Sequence, residues 1–174
     1  TDCNHNMVRV GEEMATVFRA HGLQVVHDTN LYDYPAYNGA YDRSKAAVEQ
    51  WLKQYPTIKV VLDVHRDALV GNEGEIYKLV SEEAGEKVAQ VMLVVGTDAG
   101  GLEHPDWQEN LCLGAILQTR LEAEYPGLMR PLNLRTERFN QDLGRLSLLV
   151  EVGASGNTLE EAKTAAARLG EQLG

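Results

Sequence analysis

Cysteine is scarce in this chain, with only Cys3 and Cys112 among 174 residues and no C-x-x-C spacing. Two cysteines exclude a disulfide framework and leave the redox compartment open. Cys112 falls in an apolar helical pattern and reads as a core residue. Positive charge is also scarce: 16 Lys and Arg stand against 26 Asp and Glu, a net charge of -10. A general nucleic-acid binder needs a basic footprint, and adhesion to an anionic membrane surface needs one too, so both are disfavoured. No run of about 18 apolar residues occurs, which excludes a transmembrane helix. An initiator methionine and a signal peptide are missing as well. The chain opens TDCNHN and enters a helical pattern almost at once, the start expected of a domain cut from a longer protein whose anchor lies elsewhere. The glycine-rich GTDAGG at 96–101 lacks the spacing and lysine of a phosphate-binding loop.

What is present is an ordinary globular composition, 44% hydrophobic and 24% charged over 174 residues, enough for one domain with its own core. Apolar residues Met7, Val10, Met14, Val17 and Phe18 recur at helical spacing and predict a helix over 6–21, stopped by Gly22. LQVVH (23–27) predicts a short strand. Residues 28–39 form a polar loop with Tyr32, Tyr34 and Tyr37, of a length often functional or mobile in compact domains. A helix over 43–55, with Asp42 as a cap, ends at Pro56. Strands are predicted at 58–64, 76–80 and 88–95, the last two as a hairpin turning at 84–86. A helix spans 107–125 behind Asp106, 128–144 is irregular, and LSLLVEV (146–152) is a buried strand. The Ala-rich helix 158–173 opens with a capping box, Thr158 and Glu161. Helices and strands alternate through much of the chain, which predicts an α/β domain with a twisted, largely parallel sheet.

Two strand ends carry the chemistry. KVVLDVHRDA (59–68) begins as an apolar β-branched run and ends in Asp63, His65, Arg66 and Asp67. Ligands of open α/β sheets sit at the carboxyl ends of strands, so a metal-capable imidazole and a carboxylate stand where a site belongs. The plainer alternative is an Arg66–Asp67 pair and a satisfied core histidine. Glu151 sits inside LLVEVG. A carboxylate there is costly unless paired, protonated or placed at a cleft mouth, and desolvation raises its pKa toward the range of a general base or acid. It could also point outward from an edge strand. Gly153 and Gly156 let the backbone turn sharply beside it. His65 and Glu151 together suggest a metal hydrolase, although a catalytic zinc normally has three protein ligands. His27 and Asp28 offer a further ligand pair, or a strand-exit hydrogen bond. His104 is placed on the cleft rim and His21 at a helix end.

The segments NMVRVGEE (6–13), YNGAYDRS (37–44), VVLDVHRDA (60–68), HPDWQENL (104–111) and RFNQDLGRLSLLVEVGASGNTLEEA (138–162) resemble, in collinear order, the stage II sporulation protein P family, which is related to zinc-dependent N-acetylmuramoyl-L-alanine amidases. The resemblance implies an amidase-type α/β fold, phosphorylase/hydrolase-like, with helices on both faces of the sheet. It implies hydrolysis of the muramic acid–L-alanine amide of septal peptidoglycan during engulfment, with cross-link endopeptidase activity beside it. Under it, Zn2+ is the cofactor, His65 is a zinc ligand, Glu151 is the catalytic base, and His5 is the candidate for a further ligand. Arg66, Asp67, Arg138 and Asn140 are the substrate or supporting groups, Arg138 as a fork for a stem-peptide carboxylate. The family's earlier strand, ending in an H-T-H type motif with the first zinc histidine, is not in this sequence. Residues 1–174 are accordingly expected to be a single catalytic domain lacking that first strand and a membrane anchor. The implied partners are peptidoglycan and membrane-anchored sporulation proteins, with no nucleic acid, and the implied location is extracytoplasmic and membrane-associated. Two other readings remain open: a non-catalytic peptidoglycan-binding or scaffold domain, and a metal-free acid/base hydrolase using Glu151 and Asp67.

Overall fold

In the computed structural model, which describes residues 6–83 and 85–174, the longest strand is Ser147–Ala154. Every residue of it is buried except Glu151, which is half-buried. In chain order the elements are α1 (Met7–Ala20), α2 (Ala40–Gln54), β1 (Val61–Asp67), β2 (Val80–Glu83), β3 (Glu86–Ala89), β4 (Val91–Gly96), α3 (Trp107–Glu124), β5 (Asn133–Arg135), β6 (Ser147–Ala154) and α4 (Leu159–Leu173). One four-stranded sheet runs in the order β1-β6-β4-β5. β1 is parallel to β6 and β5 to β4, while β4 and β6 are antiparallel. β2 and β3 form a separate antiparallel hairpin. The architecture is therefore mixed α/β with a mostly parallel sheet.

The period-2 alternation of strands separates two faces. Leu62 and Val64 of β1, Leu93 and Val95 of β4, and Leu148, Val150 and Val152 of β6 meet Val10 and Met14 of α1, Leu117 and Leu121 of α3, and Ala162, Ala165, Ala166 and Leu169 of α4. Small residues let two of these helices approach: a Cβ on Gly170 would stand 2.9 Å from Val17 Cβ. Both helix starts follow from local chemistry. Asn6 accepts from Val8 N at 3.0 Å, and the Thr158–Glu161 capping box forms as its spacing predicts. The other face is smaller. Met92, Val94 and Leu149 pack there with Phe139, whose ring lies 5.8 Å from that of Tyr41 in the first turn of α2. Helices are thus unevenly shared: α1, α3 and α4 cover one face, and the other is left to Phe139, the start of α2 and polar groups.

Four local expectations change. Residues 23–27 belong to no strand, and Leu23 and Val26 are exposed. The apolar run 88–95 is two strands, because Gln90 N donates to Leu79 O at 3.1 Å while its carbonyl accepts from Gly153 N at 2.9 Å, so the chain leaves the hairpin there and enters the main sheet. α2 begins at Ala40, which places Asp42 inside its first turn, behind a left-handed Gly39. Cys112 is exposed: α3 turns Gly114, Leu117 and Leu121 inward, and Cys112 lies off that stripe.

Candidate functional site

Because β1 and β6 are parallel, their carboxyl ends coincide, and the register sets His65 opposite Glu151. Asp63 and His65 share the face opposite Leu62 and Val64, beside Leu149 and Glu151. His65 Nε2 donates to Asp63 Oδ1 at 3.0 Å, with the two side chains 42% and 40% exposed. A register shift between His65 and Asp67 then bends the strand end. Ser155 N donates to Asp67 O at 3.0 Å, and Asp67 Oδ2 accepts from Arg130 Nη1 at 2.7 Å. Arg130 is held beside the start of β4, its N–H donating to Val91 O at 2.7 Å. Its guanidinium therefore crosses the end of β6, next to Glu151, to reach β1.

The electrostatics of this cluster follow from its burial and its excess of carboxylates. Burial pushes the Glu151 carboxyl up to about 6; His65 and Arg130 oppose the rise, and Asp67 and Asp63 add to it. Glu151 Oε2 is buried without a hydrogen-bond partner. For His65, burial pulls the imidazole down, but the bond to Asp63 and the charges of Asp63, Glu151 and Asp33 outweigh it and hold it above its ordinary value. Tyr41 flanks the cluster. Burial first, then the charges of Asp63, Tyr37 and Glu151, raise its hydroxyl well above the usual range. A carboxyl poised near 6 next to an imidazole can exchange a proton with a bound water or leaving group at neutral pH.

The turn after β6 is fixed by Asn157. Its Oδ1 accepts from Ala154 N at 2.8 Å and Leu79 N at 3.3 Å, and its Nδ2 donates to Leu79 O at 2.8 Å and Glu161 Oε2 at 3.1 Å. Lys78 Nζ closes the network on Glu161 at 2.5 Å. Gly153 has φ +71, and a Cβ on Gly156 would sit 2.6 Å from Tyr77 O. Glycine at 153 relieves a left-handed backbone and at 156 permits a close approach.

The remaining candidates lie apart from this cluster or serve the scaffold. Arg66 is exposed. Arg138 Nη1 donates to Asp142 Oδ2 and to Glu103 O, both at 2.9 Å. Arg138 lies against Gly96, at the far end of β4 from Met92, the partner of Glu151. Asn140 Nδ2 donates to Tyr41 O at 2.8 Å and Ser44 Oγ at 3.0 Å, pinning the irregular segment to α2. His104 is fully buried, not on a rim, and Asn110 Nδ2 donates to its Nε2 at 3.3 Å. His27 Nδ1 donates to Glu12 Oε2 at 2.7 Å. Asp28 accepts from Tyr32 Oη at 2.5 Å, Trp51 Nε1 at 2.8 Å and Asn30, so its oxygens are engaged in holding a loop. His5 lies outside the described residues.

A zinc ion would find one well-prepared ligand here. A ligating imidazole usually donates its other N–H to a carboxylate, which fixes its tautomer, and His65 does so to Asp63. Among the described residues no group of three or more His, Cys, Asp or Glu is arranged to hold a metal. These residues fit one corner of a zinc site and do not by themselves complete it.

Arg130 and Asn157 were not legible as parts of the site. Arg130 sits in an irregular stretch 63 residues from Asp67, with no local pattern to mark it. Asn157 follows Gly153 and Gly156 and precedes the capping box, a position that marks a turn but not its reach to Leu79.

The family model described as Stage II sporulation protein P (SpoIIP) matches residues 1–174. The chain is similar to the Stage II sporulation protein P of Bacillus subtilis (strain 168), with 29% identity over 172 residues, covering 92% of this chain and 40% of that protein. The chain thus spans about 40% of the length of this curated relative. No solved structure matches.

Proposed function

The chain belongs to the stage II sporulation protein P family, and from that premise we propose that it is the catalytic portion of a peptidoglycan hydrolase, an N-acetylmuramoyl-L-alanine amidase acting on the septal wall during engulfment. The observation that carries the reading is Glu151: a half-buried carboxylate with one partnerless buried oxygen, opposite His65 at the shared carboxyl end of two parallel strands. A catalytic Zn2+, when bound, polarises a carbonyl and lowers the pKa of its water to about 7. His65 would be one of its ligands, oriented by Asp63, with the others supplied from outside the described residues, His5 among the candidates. Glu151 takes the proton from the attacking water and returns it to the amine of L-alanine as the amide breaks, the exchange its raised pKa suits. Arg130, held by Asp67, lines the rim beside Glu151 and keeps the cluster from becoming wholly anionic.

The same site, opening on the less covered face of the sheet, would accept a peptide cross-link as well, which is the basis for an endopeptidase activity beside the amidase. The wall substrate places the protein outside the cytoplasm. No helix of the described residues is long and apolar enough to cross a membrane; membrane association and contacts with membrane-anchored sporulation partners are part of the proposal for the full-length protein. A second reading, a peptidoglycan-binding or scaffold domain without turnover, is favoured by the incomplete donor set among the described residues.

The test is product chemistry. Purified sacculi are treated with the protein in zinc, and new chain ends are identified by amine labelling and mass spectrometry. New L-alanine amino termini are expected. Release of cross-link amines alone would make the protein an endopeptidase, and no new ends would leave the scaffold reading.

A further inference from the structure

The loop between α1 and α2 is built tightly and yet leaves its aromatic rings in solvent. Arg43, in α2, holds three of its carbonyls at once: Nε donates to Tyr32 O at 2.8 Å, Nη1 to Asn38 O at 3.3 Å and Nη2 to Ala36 O. Asp28 anchors the other end through Tyr32, Asn30 and Trp51. A loop fixed by so many bonds could have folded its apolar rings onto the core. Instead Tyr34 is 76% and Tyr37 79% exposed, whereas Tyr32 is turned inward onto Asp28.

The position of this loop gives the exposure a meaning. Asp33 bears on His65, and Tyr37 bears on Tyr41, which itself feels Asp63 and Glu151. Tyr41 packs on Phe139, and Phe139 packs on Met92, Val94 and Leu149 of the sheet. Phe139 and Tyr41 thus form an aromatic pair on the face of the sheet that carries His65 and Glu151, and Tyr37 stands one turn before Tyr41 at the start of α2, its carbonyl accepting from Ala40 N at 3.0 Å. The cluster is acidic, with Asp33, Asp63, Asp67 and Glu151 against Arg130, so it disfavours an anionic ligand along these rings. A neutral, amphipathic chain of rings suits it: the apolar face of a sugar stacks on a tyrosine ring while its hydroxyl and acetamido groups meet polar neighbours. A rigid, two-torsion tyrosine loses little conformational entropy on binding.

We propose that Tyr37 is a stacking platform for an N-acetylhexosamine of the glycan strand, positioning the muramyl residue so that its amide reaches the His65–Glu151 cluster. This rests on the hydrolase reading for its role in turnover, but not for glycan binding itself. Tyr37 is a positioning residue and takes no part in proton transfer.

The experiment measures glycan binding and turnover separately. Affinity for a soluble hexamer of N-acetylglucosamine is measured by titration calorimetry in the Glu151→Gln background, with and without Tyr37→Ala, Tyr37→Phe and, as a control on an exposed ring outside this loop, Tyr77→Ala. Turnover on sacculi is measured for the same changes with Glu151 intact. Tyr37→Ala is expected to weaken hexamer binding about tenfold and to raise KM with kcat little changed. Tyr37→Phe keeps affinity because the ring does the stacking, and Tyr77→Ala changes nothing. Hexamer affinity indifferent to Tyr37→Ala, or lost equally in Tyr37→Phe, overturns the platform. Tyr37-dependent glycan binding without any amine release keeps the platform and removes the hydrolase reading. Amine release with a KM unmoved by Tyr37→Ala does the reverse.

Discussion

Replacing Glu151 by glutamine should make the metal-free protein more stable at neutral pH and leave it nearly unchanged in acid. The carboxyl is pushed from 4.5 to about 6 by burial, a shift of about 1.5 units, and each unit is worth about 1.4 kcal/mol. A group whose folded pKa is raised contributes stability that is fully present below its unfolded value and is lost as pH rises through the folded value. The wild type therefore loses about 2 kcal/mol from this group between about pH 4.5 and pH 6.5. Glutamine mimics the protonated carboxyl and does not titrate, so the variant escapes that loss. His65 is also raised and loses stability in the same direction as pH rises above its ordinary value; because the charge of Glu151 is one cause of that rise, the loss is smaller in the variant, which adds to the expected difference. Urea unfolding of chelator-treated wild type and Glu151→Gln at pH 4 and pH 7.5 checks this. With a urea slope of roughly 2 kcal/mol per molar, the variant's midpoint should exceed the wild type's by about 1 M at pH 7.5 and by little at pH 4. Equal offsets at both values, or a less stable variant at pH 7.5, would refute a desolvated Glu151.

Three further expectations follow from named contacts. Asn157→Ala removes four hydrogen bonds that join the β6–α4 turn to Leu79 and Glu161 and should cost about 3 kcal/mol, read as a fall in Tm of several degrees; an unchanged Tm would mean that the network forms only loosely. Asp63→Asn removes the bond and charge that raise His65, so the His65 ring proton should titrate at lower pH in an NMR series, and a shift upward would contradict the pairing. On the proposed function, chelation should abolish amine release and added Zn2+ restore it, with about one zinc per chain that is lost in His65→Ala; turnover indifferent to chelator would favour a metal-free acid/base mechanism.

Most elements were legible because their signals are local. The helical recurrence of Met7, Val10, Met14 and Val17, the capping box at Thr158 and the apolar β-branched runs around Val61 and Val150 are each set by neighbours within a turn or a pleat. His65 and Glu151 each stand out locally as a polar group in an apolar strand, and the parallel β1–β6 pairing sets them opposite one another. What was missed depends on partners far along the chain. The 88–95 run divides only because Leu79 and Gly153 both bind Gln90, and Arg130 enters the site only because it crosses β6 to Asp67. Arg138 bonds to Asp142 and Glu103, and Asn140 to Tyr41 and Ser44, partners that the spacing of the sequence does not name. His104 reads as rim and is buried just before the start of α3, where Asn110, also buried, bonds to it and to Gln141 O. Residues 23–27 read as a strand on composition, yet a strand needs a ladder partner, and the described residues supply none.

The most direct test of the central claim is the rate at which L-alanine amino termini appear in zinc-supplemented sacculi treated with the wild type and with Glu151→Gln at equal bound protein. The account predicts a fall of roughly a hundredfold or more, the share of a positioned general base, with binding to sacculi retained. A Glu151→Gln protein that releases amines at close to the wild-type rate would remove Glu151 from the chemistry, and with it the reading of this strand-end cluster as the hydrolytic site.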